Sequence, residues 1–272
     1  MIELYSLGSS SRGNAFVVRT GADTWLIDAG LSAREISLRL RENSIDPADL
    51  SGVWITHEHG DHIRGLAVLL RRHTFPVYIS HGCLQAANLN LPPERITFIR
   101  AGDEIGTGSA IVRVRSKLHD AADPLLFTFR YGGRAVSIIT DLGSVDDEAM
   151  AAVNESDAIV LEANHCEHML RKGPYPAFLK RRIAGDLGHL SNNQAATLIL
   201  RAASPKLRQV MLAHISRQNN TPGTALASVA GAIAQWPGSA RLNLSVAPQD
   251  GGSLPLRIRV VHESGLTPKG IL

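Results

Sequence analysis

Short apolar, β-branched runs alternate with stretches of helical period from one end of the chain to the other, the pattern of a layered α/β or α+β fold. In the first half these runs predict strands at Ile2–Leu7, Ala15–Thr20, Thr24–Ile27, Gly52–Thr56, Val77–Ser80, Ile96–Ile99 and Ala110–Arg115. In the second half Leu125–Tyr131 and Arg134–Thr140 flank Gly132-Gly133, a pair that tolerates positive φ at both positions and so predicts a tight hairpin. Further strands are expected at Ala158–Glu162, Gln209–Ala213, Arg241–Val246 and Leu256–Val261. Two helix starts carry a capping box, Ser32-Ala33-Arg34-Glu35 and Ser191-Asn192-Asn193-Gln194. Other helices are expected over Ile63–Arg72, Asp146–Asn154 and Thr224–Gln235. No linker, repeat or low-complexity stretch interrupts the alternation, so a single domain over residues 1–272 is expected.

Composition narrows the picture modestly. The 28 Lys and Arg against 25 Asp and Glu give a net charge of +3, which permits a nucleic-acid partner without demanding one. Cys83 and Cys166 lie far apart and form no CxxC pattern, so neither a disulfide framework nor a thiolate zinc site is indicated. The segment Met1–Ser6 lacks a basic leader and an apolar core, and no apolar run is long enough to span a bilayer. A cytoplasmic protein without a membrane partner is the expectation; the oligomeric state stays open.

The eleven histidines matter through their placement. Three apolar runs end in potential metal ligands: Val53-Trp54-Ile55 in Thr56-His57, Val136-Ser137-Ile138-Ile139 in Thr140-Asp141, and Val210-Met211-Leu212 in Ala213-His214. Open sheets place their sites past the carboxyl ends of such strands, where ligands distant in sequence converge. Within His57-Glu58-His59, residues two apart on an extended stretch share a side and can grip one ion, leaving Asp61 and His62 to turn toward a second. Imidazole and carboxylate without thiolate suit zinc, manganese or iron alike. A His-rich loop after a strand can also be a plain polar surface turn, but five such residues in this run favour a metal site.

The run His57–His62 has the HxHxDH form of the metallo-β-lactamase fold, which the chain resembles over nearly its whole length. Ser6–Asn14 is similar to that fold's opening β-turn-β, and Asp28-Ala29-Gly30, Asp141 and His214 match later landmarks in order. Leu118–Pro124, Leu161–His165, Gly173–Pro176, Gly188–Asn192 and Asn219–Pro222 resemble the YycJ-like (WalJ-like) subfamily, whose members are regarded as DNA exonucleases. The resemblance implies a four-layer αββα sandwich and two divalent metal ions. It puts His57, His59 and His119 on one ion and Asp61, His62 and His214 on the other, with Asp141 as the bridge. Asp120 or Asp123 competes with His119 for its place.

Two such ions lower the pKa of a bridging water and offset transition-state charge. Asp61 would orient that water as well as bind metal. By the same resemblance, Glu162 pairs with His189 in Gly188-His189-Leu190-Ser191 to make a proton donor for the leaving group; the plain alternative is a His capping the helix at Ser191. Asn164 and His165 are candidates for supporting a ligand or touching substrate, or else belong to a polar loop. Lys180, Arg181 and Arg182, with Arg171, Lys172, Tyr175 and Phe178 nearby, suit phosphate contacts and base stacking or a solvated helix face, and Arg12 and Arg217 lie near loops of the site.

The leading expectation is therefore a phosphodiesterase or DNA exonuclease. A thioester or lactone hydrolase is the second reading. The third is a catalytically silent DNA-binding or regulatory metalloprotein, which the size of the ligand set disfavours, since structural sites tend to be closed four-ligand cages.

Overall fold

Alternation along the strands decides how many layers the protein needs. These strands are seen in a computed structural model that describes residues 1–253 and 255–259. Along β2 (Gly13–Thr20), Phe16 and Val18 join one apolar cluster while Ala15 and Val17 join another, so this strand buries both faces. Period two sends successive side chains to opposite sides, and an apolar residue at every position needs cover on both.

The cover comes from a second sheet on one side and helices on the other. One sheet runs in the order β14 (Leu256–Ile258), β1 (Ile2–Ser10), β2, β3 (Asp23–Ile27), β4 (Gly52–Trp54), β5 (Val77–Ile79), β6 (Ile96–Phe98). Its partner runs β13 (Asn243–Val246), β12 (Gln209–Ala213), β11 (Ala158–Glu162), β10 (Arg134–Ile139), β9 (Leu125–Tyr131), β8 (Ala110–Ser116), β7 (Glu104–Thr107). Between them Trp54 is fully buried, stacked on Tyr78 with centroids 4.0 Å apart and meeting Phe127 and Phe129 edge-on at 5.3 and 5.7 Å. Aromatic pairs in these geometries add about 0.5–1.5 kcal/mol each beyond the area they bury. They anchor the strand that leads directly into His57.

The outer face of the first sheet is covered by α1 (Ala33–Glu42), α3 (Leu66–Arg72) and α4 (His81–Ala87), through Ile36, Leu40, Leu66, Leu69 and Cys83. That of the second is covered by α5 (Asp147–Glu155), α8 (Asn192–Ala202) and α9 (Pro222–Ile233), through Val153, Leu198, Ile199 and Val229. The result is the four-layer αββα sandwich. Both expected capping boxes form: Ser32 Oγ accepts from Glu35 N and Ser191 Oγ from Gln194 N, each at 3.2 Å. No helix among the described residues is long and apolar enough to cross a membrane.

Several boundaries differ from expectation. The helix expected over Ile63–Arg72 is two helices, α2 (Gly60–Ile63) and α3, broken at Gly65, whose N–H bonds Ala29 O at 2.7 Å. A Cβ there would fall 2.3 Å from Leu31 O, so the chain passes too close for any side chain. The expected strand Arg241–Val246 starts at Asn243 because a 3₁₀ turn occupies Ser239–Arg241. The expected Leu256–Val261 runs Leu256–Ile258, and Val260 and Val261 lie outside the described residues. Edge strand β7, with Gly106 inside it, and the short helices α4, α6 (Glu167–Lys172) and α7 (Ala177–Ile183) go beyond the sequence reading. Helix α7 buries no residue, and its apolar Leu179 and Ile183 make only one i,i+4 pair in seven residues, too short a stripe to announce it.

Parallel pairing runs from β3 to β6 and from β10 to β13. The carboxyl ends of these strands gather along one edge of the sandwich.

Candidate metal centre

Three strands end on a residue in the left-handed region at that edge: Asp28 after β3 (φ 59°), Asp141 after β10 (φ 55°) and His214 after β12 (φ 53°). Such a conformation is uncommon outside glycine and persists where surrounding bonds hold it. Asp28 N bonds Trp54 O at 2.9 Å. His214 N donates to Ser9 Oγ at 2.8 Å and its carbonyl accepts from Asn164 Nδ2 at 2.9 Å. Behind Asp141, the buried Lys117 donates from Nζ to Thr140 O at 2.7 Å. The side chains are thus turned inward by backbone that cannot easily relax.

Four overlapping groups of ligand atoms result, the atoms of each within 4.8 Å of one another. Two are the expected triads, His57 with His59 and His119, and Asp61 with His62 and His214; the third is His57 with His62 and Asp141, and the fourth Asp141 with Glu162, His189 and His214. His59 Nδ1 is 3.1 Å from His57 Nε2 and 3.3 Å from His119 Nε2. In the second triad, Asp61 Oδ2 is 3.6 Å from His62 Nε2 and 3.4 Å from His214 Nε2. Asp141 lies between them, with Oδ2 3.1 Å from His62 Nε2 and Oδ1 3.9 Å from His119 Nε2. Asp141 Oδ2 is buried and makes no hydrogen bond, a costly state for a carboxylate oxygen without a cation.

The outer nitrogens fix the tautomers. His62 Nδ1 meets Asp28 Oδ2 at 2.7 Å, His214 Nδ1 meets Glu162 Oε1 at 2.8 Å, and His119 Nδ1 meets Gly188 O at 3.1 Å. These partners only accept, so each Nδ1 donates outward and each Nε2 faces its group. His57 Nδ1 bonds Thr56 Oγ1, which donates in turn to Asp28. Asn14 Nδ2 reaches Asp61 Oδ2 and His62 Nε2, both at 3.2 Å, while its Oδ1 accepts from Ser9.

Charge is divided unevenly across the site. Burial holds His57 well below the usual imidazole range and His119 down to about 4, which leaves both neutral and able to donate a lone pair. Burial also opposes charge on His62, but Asp141, Asp28 and Asp61 outweigh it and push its pKa up to about 10. His214 is likewise raised well above its usual value, against burial, by Asp141, Asp61 and Glu162. Burial would raise Asp61 and Glu162, yet the histidines facing each hold both down to about 2. In effect the acid-rich group draws protons where a divalent cation would satisfy it better. The donor set, imidazole nitrogen and carboxylate oxygen, fits ions of borderline softness.

The groups lie at the floor of a cleft of about 180 Å³, with Leu179, Arg182 and Ile183 of α7 along one wall. His189 stands at its edge, its side chain 23% exposed, with Nδ1 2.9 Å from Glu162 Oε1. Glu162 accepts four bonds, from His189, His214 and the backbone N–H groups of Leu142 and Leu190, so it serves a ligand as well as His189. The capping role considered for His189 falls to Ser191 itself.

Other candidates lie elsewhere. Asn164 holds the His214 backbone, and His165 is 1% exposed behind the site. Arg182 reaches the cleft and pairs with Asp120 at 2.6 Å, whereas Lys180 and Arg181 face the other side of α7. Arg217 pairs with Asp250. Sequence reasoning missed Lys117, Ser9 and Asn14; a lone Lys two residues before a His gives no signal, and the Ser and Asn belong to a hairpin read only as a turn.

Gly30 closes this arrangement from below, since a Cβ there would fall 1.5 Å from Asp61 O. Gly30→Ala is therefore expected to lower stability by roughly 3 kcal/mol, as overpacking does, and to shift Asp61. Thermal melting together with metal titration checks this, and unchanged values of both would show that the contact relaxes freely.

Comparison with known proteins identifies the family. A family model described as "Beta-lactamase superfamily domain" matches residues 24–215. The exodeoxyribonuclease YycJ of Bacillus anthracis is 36% identical over 226 residues, covering 82% of this chain and 86% of that protein. The exodeoxyribonuclease WalJ of Streptococcus pneumoniae is 33% identical, covering 84% and 87%. Among solved structures, the metallo-beta-lactamase fold protein YhfI from Bacillus subtilis superposes with a TM-score of 0.71 at 14% identity, covering 93% of this chain and all of that one. With its αββα layers, its histidine and aspartate groups at the sheet edge and these relatives, the chain belongs to the beta-lactamase superfamily and to the family that contains YycJ and WalJ.

Proposed function

We propose that the chain is a dinuclear metal-dependent exodeoxyribonuclease of the cytoplasm. The observation that carries this reading is the pair of ligand triads with Asp141 between them on the floor of an open cleft, in a chain whose relatives are named exodeoxyribonucleases. His57, His59 and His119 would hold one ion and Asp61, His62 and His214 the other, with Asp141 common to both; zinc, manganese and iron all suit the donors. When bound, such ions supply an activated water at neutral pH and offset the charge that grows on the attacked phosphodiester. The protein's own groups do the remainder. Asp28 and Glu162 keep the His62 and His214 rings turned with Nε2 inward. Asp61, its side chain 21% exposed, orients the water at the cleft floor. His189, with Nδ1 turned to Glu162, has Nε2 on the outer side of its ring and delivers a proton to the departing oxygen. Free thiols at Cys83 and Cys166 suit a reducing compartment.

Incubating metal-loaded protein with end-labelled single- and double-stranded DNA, RNA, a generic phosphodiester and a thioester tests the reading. A ladder of shortened DNA is expected. Turnover confined to the thioester would replace it with small-molecule hydrolysis, and tight DNA binding without turnover would leave a regulatory protein.

The basic segment carries its own expectation. If Lys180 and Arg181 meet phosphates, replacing both with Ala should lower the slope of log affinity against log salt by about 1.5, each contact contributing roughly 0.7–0.9. An unchanged slope would make them a solvated helix face.

A further inference from the structure

Helix α7 separates two hollows, and the metal chemistry uses only one. Leu179, Arg182 and Ile183, at helical spacing, line the metal cleft. Lys180, Arg181 and Ala184 line a second hollow of about 300 Å³ on the opposite face, shared with Leu170 and with His165 behind the site. The hollow is walled by Leu170, Ala184 and the side chains of Glu167, Arg171, Lys180 and Arg181, with the His165 ring on its inner side. His165 is 1% exposed and its Nδ1 has no hydrogen-bond partner, although buried ring nitrogens are normally paired. Burial holds this imidazole down to about 4, so it is neutral and offers one donor and one acceptor nitrogen. Glu167, the acid in the lining, already accepts from Ser191 Oγ and Asn193 Nδ2. Arg171, Lys180 and Arg181 stand around the hollow, and among the described residues no carboxylate lies within ion-pair distance of them.

A ligand that fits has a flat apolar body, a hydrogen-bonding edge and an attached negative charge. We propose that the hollow behind α7 receives one unpaired nucleobase of the DNA strand being degraded, with its edge toward His165 and its flanking phosphates on Arg171, Lys180 and Arg181. This rests on the exonuclease reading and deepens it. The two hollows lie on opposite faces of α7, roughly 10 Å apart across a helix, so the base held behind α7 is unpaired within a few nucleotides of the bond that is cut.

The test is a walk of single abasic sites along an end-labelled single-stranded oligonucleotide, reading kcat/KM with the metal-loaded enzyme. Besides any loss at the scissile linkage, a separate minimum of roughly 5- to 100-fold, the usual worth of one base contact, is expected at a single position a few nucleotides away. Ala184→Trp, at an exposed position on the end of α7, fills the hollow and should flatten that second minimum. Binding of the same oligonucleotides, read by anisotropy, should show the same dip and the same flattening. A profile without the second minimum, while DNA is still cleaved, overturns the base pocket and leaves the exonuclease reading standing. A minimum that persists unchanged in Ala184→Trp overturns the pocket as well, because the contact then lies elsewhere. Absence of any DNA cleavage removes the nuclease reading and the pocket with it.

Discussion

Replacing Asp141 with Ala is expected to strip the protein of both metal ions and to lower phosphodiester turnover at least 10⁴-fold. This carboxylate reaches both ligand sets: Oδ2 is 3.1 Å from His62 Nε2, and Oδ1 is 3.9 Å from His119 Nε2 and 3.3 Å from His214 Nδ1. Without it, His62 and His214 lose the largest of the negative charges that draw cations to them. Loss of a partner that merely orients a ligand costs metal affinity about 10- to 100-fold, and a shared ligand has to cost more. Turnover falls further still, because neither activated water nor charge compensation survives. Elemental analysis should give about two ions per chain in the native protein and fewer than one in Asp141→Ala. Full occupancy in the variant would remove Asp141 from the bridging position. Since Asp141 is strained at φ 55°, Asp141→Gly should be the more stable of the two metal-poor variants, which separates loss of ligand from loss of fold.

How much of this site could be read beforehand depended on how its residues are carried. His57, His59, Asp61 and His62 fall in one short run after a strand, and Asp141 and His214 each end an apolar run, so strand periodicity alone directs them to one edge. His119 ends no such run; its place rested on family resemblance, and the structure puts its Nε2 3.3 Å from His59 and leaves Asp120 to Arg182. Groups that act at one remove were illegible. Lys117 points inward from the end of β8 to the carbonyl before Asp141, a contact made across the fold. The helical phase of α7 was illegible too. Lys180, Arg181 and Arg182 read as one basic patch, yet neighbours on a helix differ by about 100°, and with no buried stripe nothing in the sequence said which of them faces the cleft.

His189→Ala carries the other large expectation, a loss of roughly 10²- to 10⁴-fold in turnover with both metals retained. The structure makes this variant cleaner than any change at Glu162. His189 bonds a carboxylate and stands 23% exposed at the cleft edge, outside both three-residue groups that place the ions. Glu162 also holds His214, at 2.8 Å, so Glu162→Gln should weaken metal binding by about 10- to 100-fold as well as slow proton delivery. Leaving-group chemistry then separates the two roles. A nitrophenyl phosphodiester departs without needing a proton, so the His189→Ala deficit should nearly vanish on it, while the Glu162→Gln deficit should persist until metal is supplied in excess. Should metal content instead fall in step with activity in His189→Ala, the ring would belong to the fourth ligand group, with Asp141, Glu162 and His214. The proton would then have to come from another donor lining the cleft.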